Sequence, residues 1–96
     1  MTRADPSNRI RFEIRVLRVE TSETFHVEEE VPDGWPLPVV GDFAKPRSIE
    51  CPARRVMNVA MAASIAWVQL EPIDCSFGQK DFTAEAEWLM AHGWVR

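Results

Sequence analysis

Apolar and polar residues alternate along two segments in the first third of the chain. Apolar side chains stand at positions 10, 12, 14 and 16, and the pattern returns at positions 25, 27 and 31. A period of two is typical of strands with one buried and one exposed face. The polar link 20–23 suits a hairpin loop of two or four residues. We therefore predict two antiparallel strands in which the numbers of paired residues add up to 43.

One acidic residue does not fit this alternation. The predicted register pairs Val16 with Val27 on the apolar face. On the polar face it pairs Arg15 with Glu28, which have opposite charges. Glu29 falls on the apolar face, where an unpartnered carboxylate is costly to bury. We predict either a β-bulge that turns Glu29 outward or a half-buried acid.

Residues 32–42 read PDGWPLPVVGD and contain three prolines and two glycines. Proline has no backbone N–H group, so Pro36 and Pro38 cannot donate to a neighbouring strand. We predict a turn at the start of the segment and a short edge strand over residues 39–43. An edge strand near Val39 would also allow a dimer through strand pairing.

Residues 53–71 have two interpretations. As a helix, the segment is rich in alanine and bracketed by Pro52 and Pro72, but it is apolar around most of its circumference. Such a helix suits only a fully buried position, which a small domain rarely offers. We therefore predict two strands that turn at residues 62–64, and a buried helix over residues 53–70 is the alternative.

The C-terminal segment has the signals of an amphipathic helix. Thr83 is predicted to cap its N-terminus, where acids also favour the helix dipole. Gly93 stands where a left-handed residue ends a helix, and Trp94 would then contact Leu89. Five residues form the predicted inward stripe: Phe82, Ala86, Leu89, Met90 and Trp94.

These elements predict an α+β fold, a small bent antiparallel sheet or partly open barrel of about five strands with one C-terminal helix. The order of short strands over residues 10–72 resembles SH3-like small barrels in architecture, without a specific motif. A chain of 96 residues forms one domain. We expect a disordered start over residues 1–8 and a globular domain over residues 9–96.

Composition and charge restrict the location and the partners. The chain is 46% hydrophobic and 27% charged, with no apolar leader and no apolar run long enough to cross a bilayer, so we expect a cytoplasmic protein without a membrane partner. The net charge is −4, and residues 19–50 carry eight acids against Lys45 and Arg47. This balance argues against non-specific nucleic-acid binding and allows docking on a basic surface.

No arrangement of reactive residues indicates a metal, a cofactor or an active site. The potential soft ligands, His26, Cys51, Cys75 and His92, are isolated in sequence, whereas zinc ligands usually come in close pairs. We therefore predict two free thiols and neither metal nor cofactor. An enzyme that uses Cys75 as nucleophile and His92 as base is a distant third hypothesis for the function. A protein-binding module and a nucleic-acid-binding barrel, described below, come before it.

Of four tryptophans, three have core-facing or end-capping positions in the predicted elements, and only Trp35 lies in a Pro/Gly turn. Tryptophan is frequent at interface hot spots. We therefore expect a non-enzymatic protein-binding module, an adaptor or an inhibitor, monomeric or homodimeric, that docks on a basic partner surface. Its predicted contact residues are Trp35, Leu37, Glu28, Glu30, Asp33 and Asp42.

Two further expectations concern the class of protein. Small acidic single-domain proteins are frequent among the accessory factors of phages and mobile elements, and anti-CRISPR-like inhibition is one form such docking could take. The alternative function is a small nucleic-acid-binding barrel that uses an N-terminal arginine stripe and further arginines, namely Arg9, Arg11, Arg15, Arg47, Arg54 and Arg55.

Overall fold

A computed structural model describes residues 8–32, 34, 36–62 and 64–96, with the backbone alone at Asn8. The described residues form six strands and one helix: β1 (Asn8–Leu17), β2 (Ser22–Val31), β3 (Phe43–Ala44), β4 (Arg54–Ala62), β5 (Ile65–Leu70), β6 (Ile73–Asp74) and α1 (Phe82–Ala91). The strand order is β2-β1-β5-β4-β3, and β6 pairs with the end of β1. The sheet curls into a half-barrel with one C-terminal helix, which confirms the predicted α+β class.

Strand β1 is the central element of the sheet. It pairs antiparallel with β2, and it pairs parallel with both β5 and β6. The sheet is therefore mixed, whereas the sequence pattern predicted an antiparallel one. The inward residues of β1 are almost completely buried, namely Ile10, Phe12, Ile14 and Val16. The rest of the core packs around this row of side chains.

The β1–β2 register differs from the prediction by four residues. Paired residue numbers add up to 39, and Phe12 lies opposite Val27. The turn is tight, since Arg18 N–H donates to Thr21 C=O across two residues only. Because the shift is an even number, each side chain keeps its predicted face. The charge pairing changes, however, and Glu28 lies opposite Arg11 instead of Arg15.

Glu29 is a half-buried acid, and no bulge turns it outward. Its carboxylate accepts hydrogen bonds from Arg47 N–H at 2.7 and 3.0 Å and from Ser48 N–H at 3.1 Å. These amides belong to the loop that follows β3, at the opposite edge of the sheet. The carboxylate thereby joins β2 to the far side of the half-barrel.

Residues 54–70 are two strands, as predicted, and their closing pair is Ala62 with Ile65. Residue 63, inside the predicted turn, lies outside the described residues. The predicted strand over residues 39–43 is wrong in most of its length. Asp42 N–H donates to Val39 C=O at 3.0 Å, so the chain turns there and β3 begins only at Phe43. Strand β6 was not predicted.

Helix α1 ends as predicted but begins at a different cap. Asp81, not Thr83, accepts the Ala84 N–H bond at 2.9 Å. At the C-terminus Trp94 N–H donates to Leu89 C=O, and Gly93 has φ +104°, which together form a Schellman ending.

Most of the predicted inward stripe of α1 is correct. Ala86, Leu89 and Trp94 join the core, and Phe82 packs against it. Met90 is instead 43% exposed, because it lies beside the buried row and not on it. Trp88 and Trp67, also expected to face the core or cap an element, are 41% and 44% exposed.

We predict that replacing Glu29 by alanine lowers the free energy of unfolding by about 1.5–3 kcal/mol, because backbone amides lose a charged acceptor. Glu29→Gln keeps one acceptor oxygen and should lose less. The matched control is Glu30→Ala, an exposed residue of the same strand, with an expected change within about 0.5 kcal/mol. Urea unfolding measures all three, and equal losses at positions 29 and 30 would contradict the proposed link.

We predict that Gly93→Ala is more destabilising than Gly78→Ala. Both glycines have positive φ, so alanine costs about 1–2 kcal/mol at either site. A Cβ atom at position 93 would also lie 2.8 Å from Ile49 Cγ2, whereas nothing lies within 4 Å at position 78. The crowded site should lose about 1–3 kcal/mol more in urea unfolding. Equal losses would show that Ile49 gives way without cost.

Candidate partner-binding site

A cavity of about 190 Å³ opens beneath Pro36 and Pro38, which belong to the proline-rich segment over residues 32–42. Its floor is the inner face of β1 and β2, and its roof is formed by prolines and the residues around β3. The lining residues are Ile10, Phe12, Glu29, Val31, Pro36, Pro38, Ala44, Lys45 and Arg47. The space is apolar at the bottom and polar at one side of its rim.

The local sequence explains why this space stays open. Pro36 and Pro38 lack N–H groups, and residues 36–38 cross the mouth of the half-barrel outside any strand. Strand β3 is only two residues long, and its cavity residue, Ala44, has a small side chain. The described side chains above the ends of β1 and β2 therefore leave this space open.

The polar groups around the cavity already have partners within the chain. Glu29 accepts the backbone bonds of the loop after β3, and Lys45 Nζ donates to Pro46 C=O at 3.2 Å and to Ile49 C=O at 3.0 Å. An entering group therefore meets mainly apolar surface. Cavities of about 150 Å³ lined by apolar residues bind benzene, so this one has room for one aromatic or branched aliphatic side chain.

Exposed apolar residues continue from the roof of the cavity. We call them the apolar strip, and they are Leu37, Val39, Val40 and Phe43. Phe43 is 63% exposed, and the Arg55 guanidinium lies 5.2 Å from the centre of its ring. Contiguous exposed apolar surface beside a cavity is typical of sites that bind other molecules.

The predicted contact residues separate into three groups. Trp35 and Asp33 lie outside the described residues. Leu37 belongs to the apolar strip, and Asp42 stands at its turn, where its carboxylate accepts a 3.4 Å bond from Val39 N–H. The third group, residues 28 and 30, lies on the outer face of β2, on the other side of the sheet from the cavity.

The charge of Glu28 is compensated on the outer face. Its two carboxylate oxygens each accept a 2.9 Å bond, one from Arg9 and one from Arg11. The hydrogen bond from Arg11 lowers the pKa of the Glu28 carboxyl below its ordinary value. Within the described part of the chain, Glu30 and Asp42 form no ion pair, so their charges are available to a partner.

The arginines of the alternative hypothesis are largely engaged within the chain. Beyond the Glu28 pairs, the Arg54 guanidinium donates to Glu71 C=O at 2.9 Å and to Pro72 C=O at 3.2 Å. Sequence reasoning missed one aromatic residue, since Trp67 lies next to Arg11 on the outer face. The alternation in IAWVQL, with Ala66 and Val68 buried, is the signal that places Trp67 outward.

The structure does not bring Cys75 and His92 together. Cys75 N–H donates to Leu17 C=O before α1, whereas His92 Nδ1 lies 2.8 Å from Trp88 C=O after it. A ten-residue helix is about 15 Å long, and α1 lies between these contacts. Cys51 and Cys75 are free thiols, and burial raises the pKa of both. Among the described residues, no three His, Cys, Asp or Glu side chains form a group able to hold a metal ion.

We predict that the Glu28 carboxyl titrates below its ordinary pKa and that Arg11→Met raises this pKa toward the ordinary value. Because the folded-state pKa is the lower one, the pair contributes stability above the unfolded pKa and loses it as the pH falls through the folded pKa. Carboxyl NMR titration measures the effect. Arg15→Met is the control, since Arg15 lies opposite Thr24, and equal Glu28 values in both variants would contradict the assignment.

Comparison with protein-family models, with curated proteins and with solved structures gives no match for this chain. Among the residues with a described placement, no helix has the length and apolar composition needed to cross a membrane.

Proposed function

We propose that this chain is a non-enzymatic protein-binding module, an adaptor or an inhibitor, that inserts an apolar side chain of its partner into the cavity beneath the proline-rich segment. The observation that carries the proposal is the position of this 190 Å³ cavity, with its apolar floor, beside the apolar strip. A buried anchor within a surrounding apolar surface is how protein interfaces concentrate their binding energy.

Rigidity of the site supports the same proposal. The roof contains Pro36 and Pro38, whose φ angles are fixed by their rings. One side of the rim is held by the Glu29 carboxylate through the Arg47 and Ser48 amides. A site whose conformation is fixed before binding loses less entropy when the partner docks.

The sign of the partner's charge is proposed from the acids around the site. Residues 19–50 carry eight acidic residues, including Asp42 beside the apolar strip and Glu30 on the outer face of β2. Exposed acids accelerate the approach of a basic surface more than they strengthen the final complex. We therefore propose that the apolar strip provides most of the binding affinity. Glu30 and Asp42 would mainly increase the rate of association.

Trp35 completes the proposal as an additional anchor. It stands in the chain between Gly34 and Pro36, directly before the roof of the cavity. We further propose that the protein is cytoplasmic and that its fold is similar to SH3-like barrels. We also propose that it is an accessory factor of a phage or mobile element. Single-stranded nucleic acid is the second candidate, favoured by the juxtaposition of Trp67 and Arg11 on the outer face.

The test is affinity capture from the native host with the wild-type chain and four variants. Ala44→Leu fills the cavity, and Trp35→Ala removes the additional anchor. Ala84→Leu makes the same chemical change as the first variant on the exposed face of α1 and is its control. The double variant Glu30→Gln with Asp42→Asn removes the acids.

We expect Ala44→Leu and Trp35→Ala to keep the melting temperature nearly unchanged and to lose the captured partner, while Ala84→Leu retains it. The acid variant should bind its purified partner more slowly, with a smaller dependence of the association rate on salt. Equal capture by Ala44→Leu, Trp35→Ala and the wild-type chain would overturn the proposal. Salt-sensitive retention of an oligonucleotide that Trp67→Ala abolishes would favour the second candidate.

A further inference from the structure

Strand β4 has an open edge. On one side it pairs with β5 along most of its length, from Val56 to Ala62. On the other side β3 pairs only with Arg54 and Arg55, and the preceding turn bonds only to Val56. Within the described part of the chain, no strand or side chain bonds to the outer edge of residues 57–62.

The direction of the backbone groups on this edge follows from the parallel pairing of β1 with β5. Arg9 N–H donates to Ser64 C=O, so the even-numbered residues of β5 direct their backbone groups toward β1. The odd-numbered residues bond to β4, where their partners are residues 58, 60 and 62. The N–H and C=O groups of Val59 and Met61 therefore point to the open edge.

The side chains of this edge contain nothing that prevents strand pairing. Residues 56–62 read VMNVAMA, without a charged residue or a proline. Met57 and Met61 are 49% and 62% exposed. Proteins usually protect exposed edges with lysine, proline or a bulge that distorts the edge, and beyond the irregularity between Val56 and Asn58 this segment has no such protection.

The opposite edge of the sheet, on β2, is bridged at His26 by the C-terminal residues. His26 N–H donates to Val95 C=O at 2.7 Å, and Val95 N–H returns a 3.0 Å bond. Nearby, the Glu29 carboxylate accepts hydrogen bonds from two backbone N–H groups of the loop after β3. That edge also carries several acids, which would repel a second acidic chain. The two edges are therefore not equivalent, and β4 is the one that can accept a strand.

We infer that the β4 edge is a dimerisation surface, on which β4 of a second copy of this chain pairs antiparallel about a two-fold axis. Val59 and Met61 of one copy would lie opposite Met61 and Val59 of the other. Each pair exchanges two N–H···O=C bonds, so four backbone hydrogen bonds form. The two half-barrels then share one continuous sheet.

The residue at the centre of this arrangement fits the symmetry. Ala60 of one copy would lie opposite Ala60 of the other. The two residues form a non-hydrogen-bonded pair, in which the Cα atoms approach to about 4.5 Å. The Ala60 side chain is small, and it lies on the outer face next to Trp67. On the inner face, each Met61 packs against Val59 of the other copy, which covers an exposed side chain.

A second copy fits this edge better than a foreign strand for reasons of charge and symmetry. A two-fold interface requires a surface complementary to itself, and an uncharged strand with alanine at its centre meets that requirement. The chain carries a net charge of −4, so two copies associate most easily through a segment without charge. The inference is independent of the proposed function, whose cavity is lined by other residues.

The test is the mass of the protein in solution, measured by sedimentation equilibrium at concentrations up to about 1 mM, which covers weak association. We expect a reversible monomer–dimer equilibrium in the wild-type chain. Met61→Lys introduces a charge at an exposed position and should weaken dimerisation by roughly tenfold or more. Val59→Pro removes an outward N–H group and should act likewise. Ala84→Lys on α1 is the control for added charge and should dimerise like the wild type.

Two further measurements define the surface. A mixture of Met61→Lys and Met61→Glu should form a heterodimer that neither variant forms alone, because residues on diagonal positions across paired strands lie within reach of each other. In a mixture of isotope-labelled and unlabelled wild-type chains, an intermolecular NOE should join the Ala60 Hα atoms of the two copies.

Three outcomes would overturn the inference. They are a wild-type monomer throughout the concentration range, a dimer unaffected by Met61→Lys, and an NOE pattern that excludes Ala60 from the two-fold axis. The first of these includes a wild-type monomer that binds a strand of another protein at this edge. Partner capture by the Ala44→Leu variant tests the proposed function separately, so the two can fail independently.

Discussion

The carboxylate of Glu29 holds the half-barrel together. It stands on the core side of β2 and accepts the backbone N–H groups of Arg47 and Ser48 from beyond the opposite edge of the sheet. A hydrogen bond to a charged acceptor is stronger than one between neutral groups, so one side chain replaces part of a missing strand ladder. The loop it fixes also carries Ile49, which packs over Gly93 at the end of α1. Sheet closure and helix docking are thus connected through the same short loop.

The shortness of β3 has two effects at different places. Over the inner face, Pro36 and Pro38 lie outside any strand, and a cavity remains beside Phe12 and Val31. Along the edge of the sheet, β4 continues beyond its neighbour and presents the backbone of Val59 and Met61. Both features come from a segment in which prolines and a turn take the place of a full strand. The cavity and the open edge therefore fit different kinds of contact, the cavity a side chain and the edge a strand.

The sequence predicted the features that depend on local pattern. Alternation located β1 and β2, and the separation of residues 54–70 into two strands followed from the improbability of a fully buried helix in a small domain. The register was wrong because a shift of four residues leaves every side chain on its predicted face, so the pattern of burial cannot detect it. The parallel pairing of β1 with β5 and the composition of the cavity depend on contacts between distant segments. The outward position of Trp67 was readable from its buried neighbours, Ala66 and Val68.

The position of β1 also determines how the chain must fold. Two hairpins, β1–β2 and β4–β5, are local in sequence and can form quickly. They meet only through the pairing of Arg9 with Ile65 and the residues that follow, which lie more than half the chain apart. Closing that long loop costs entropy before the buried rows of the two hairpins meet. We therefore expect the docking of two preformed hairpins, rather than the formation of either one, to limit the folding rate of this domain.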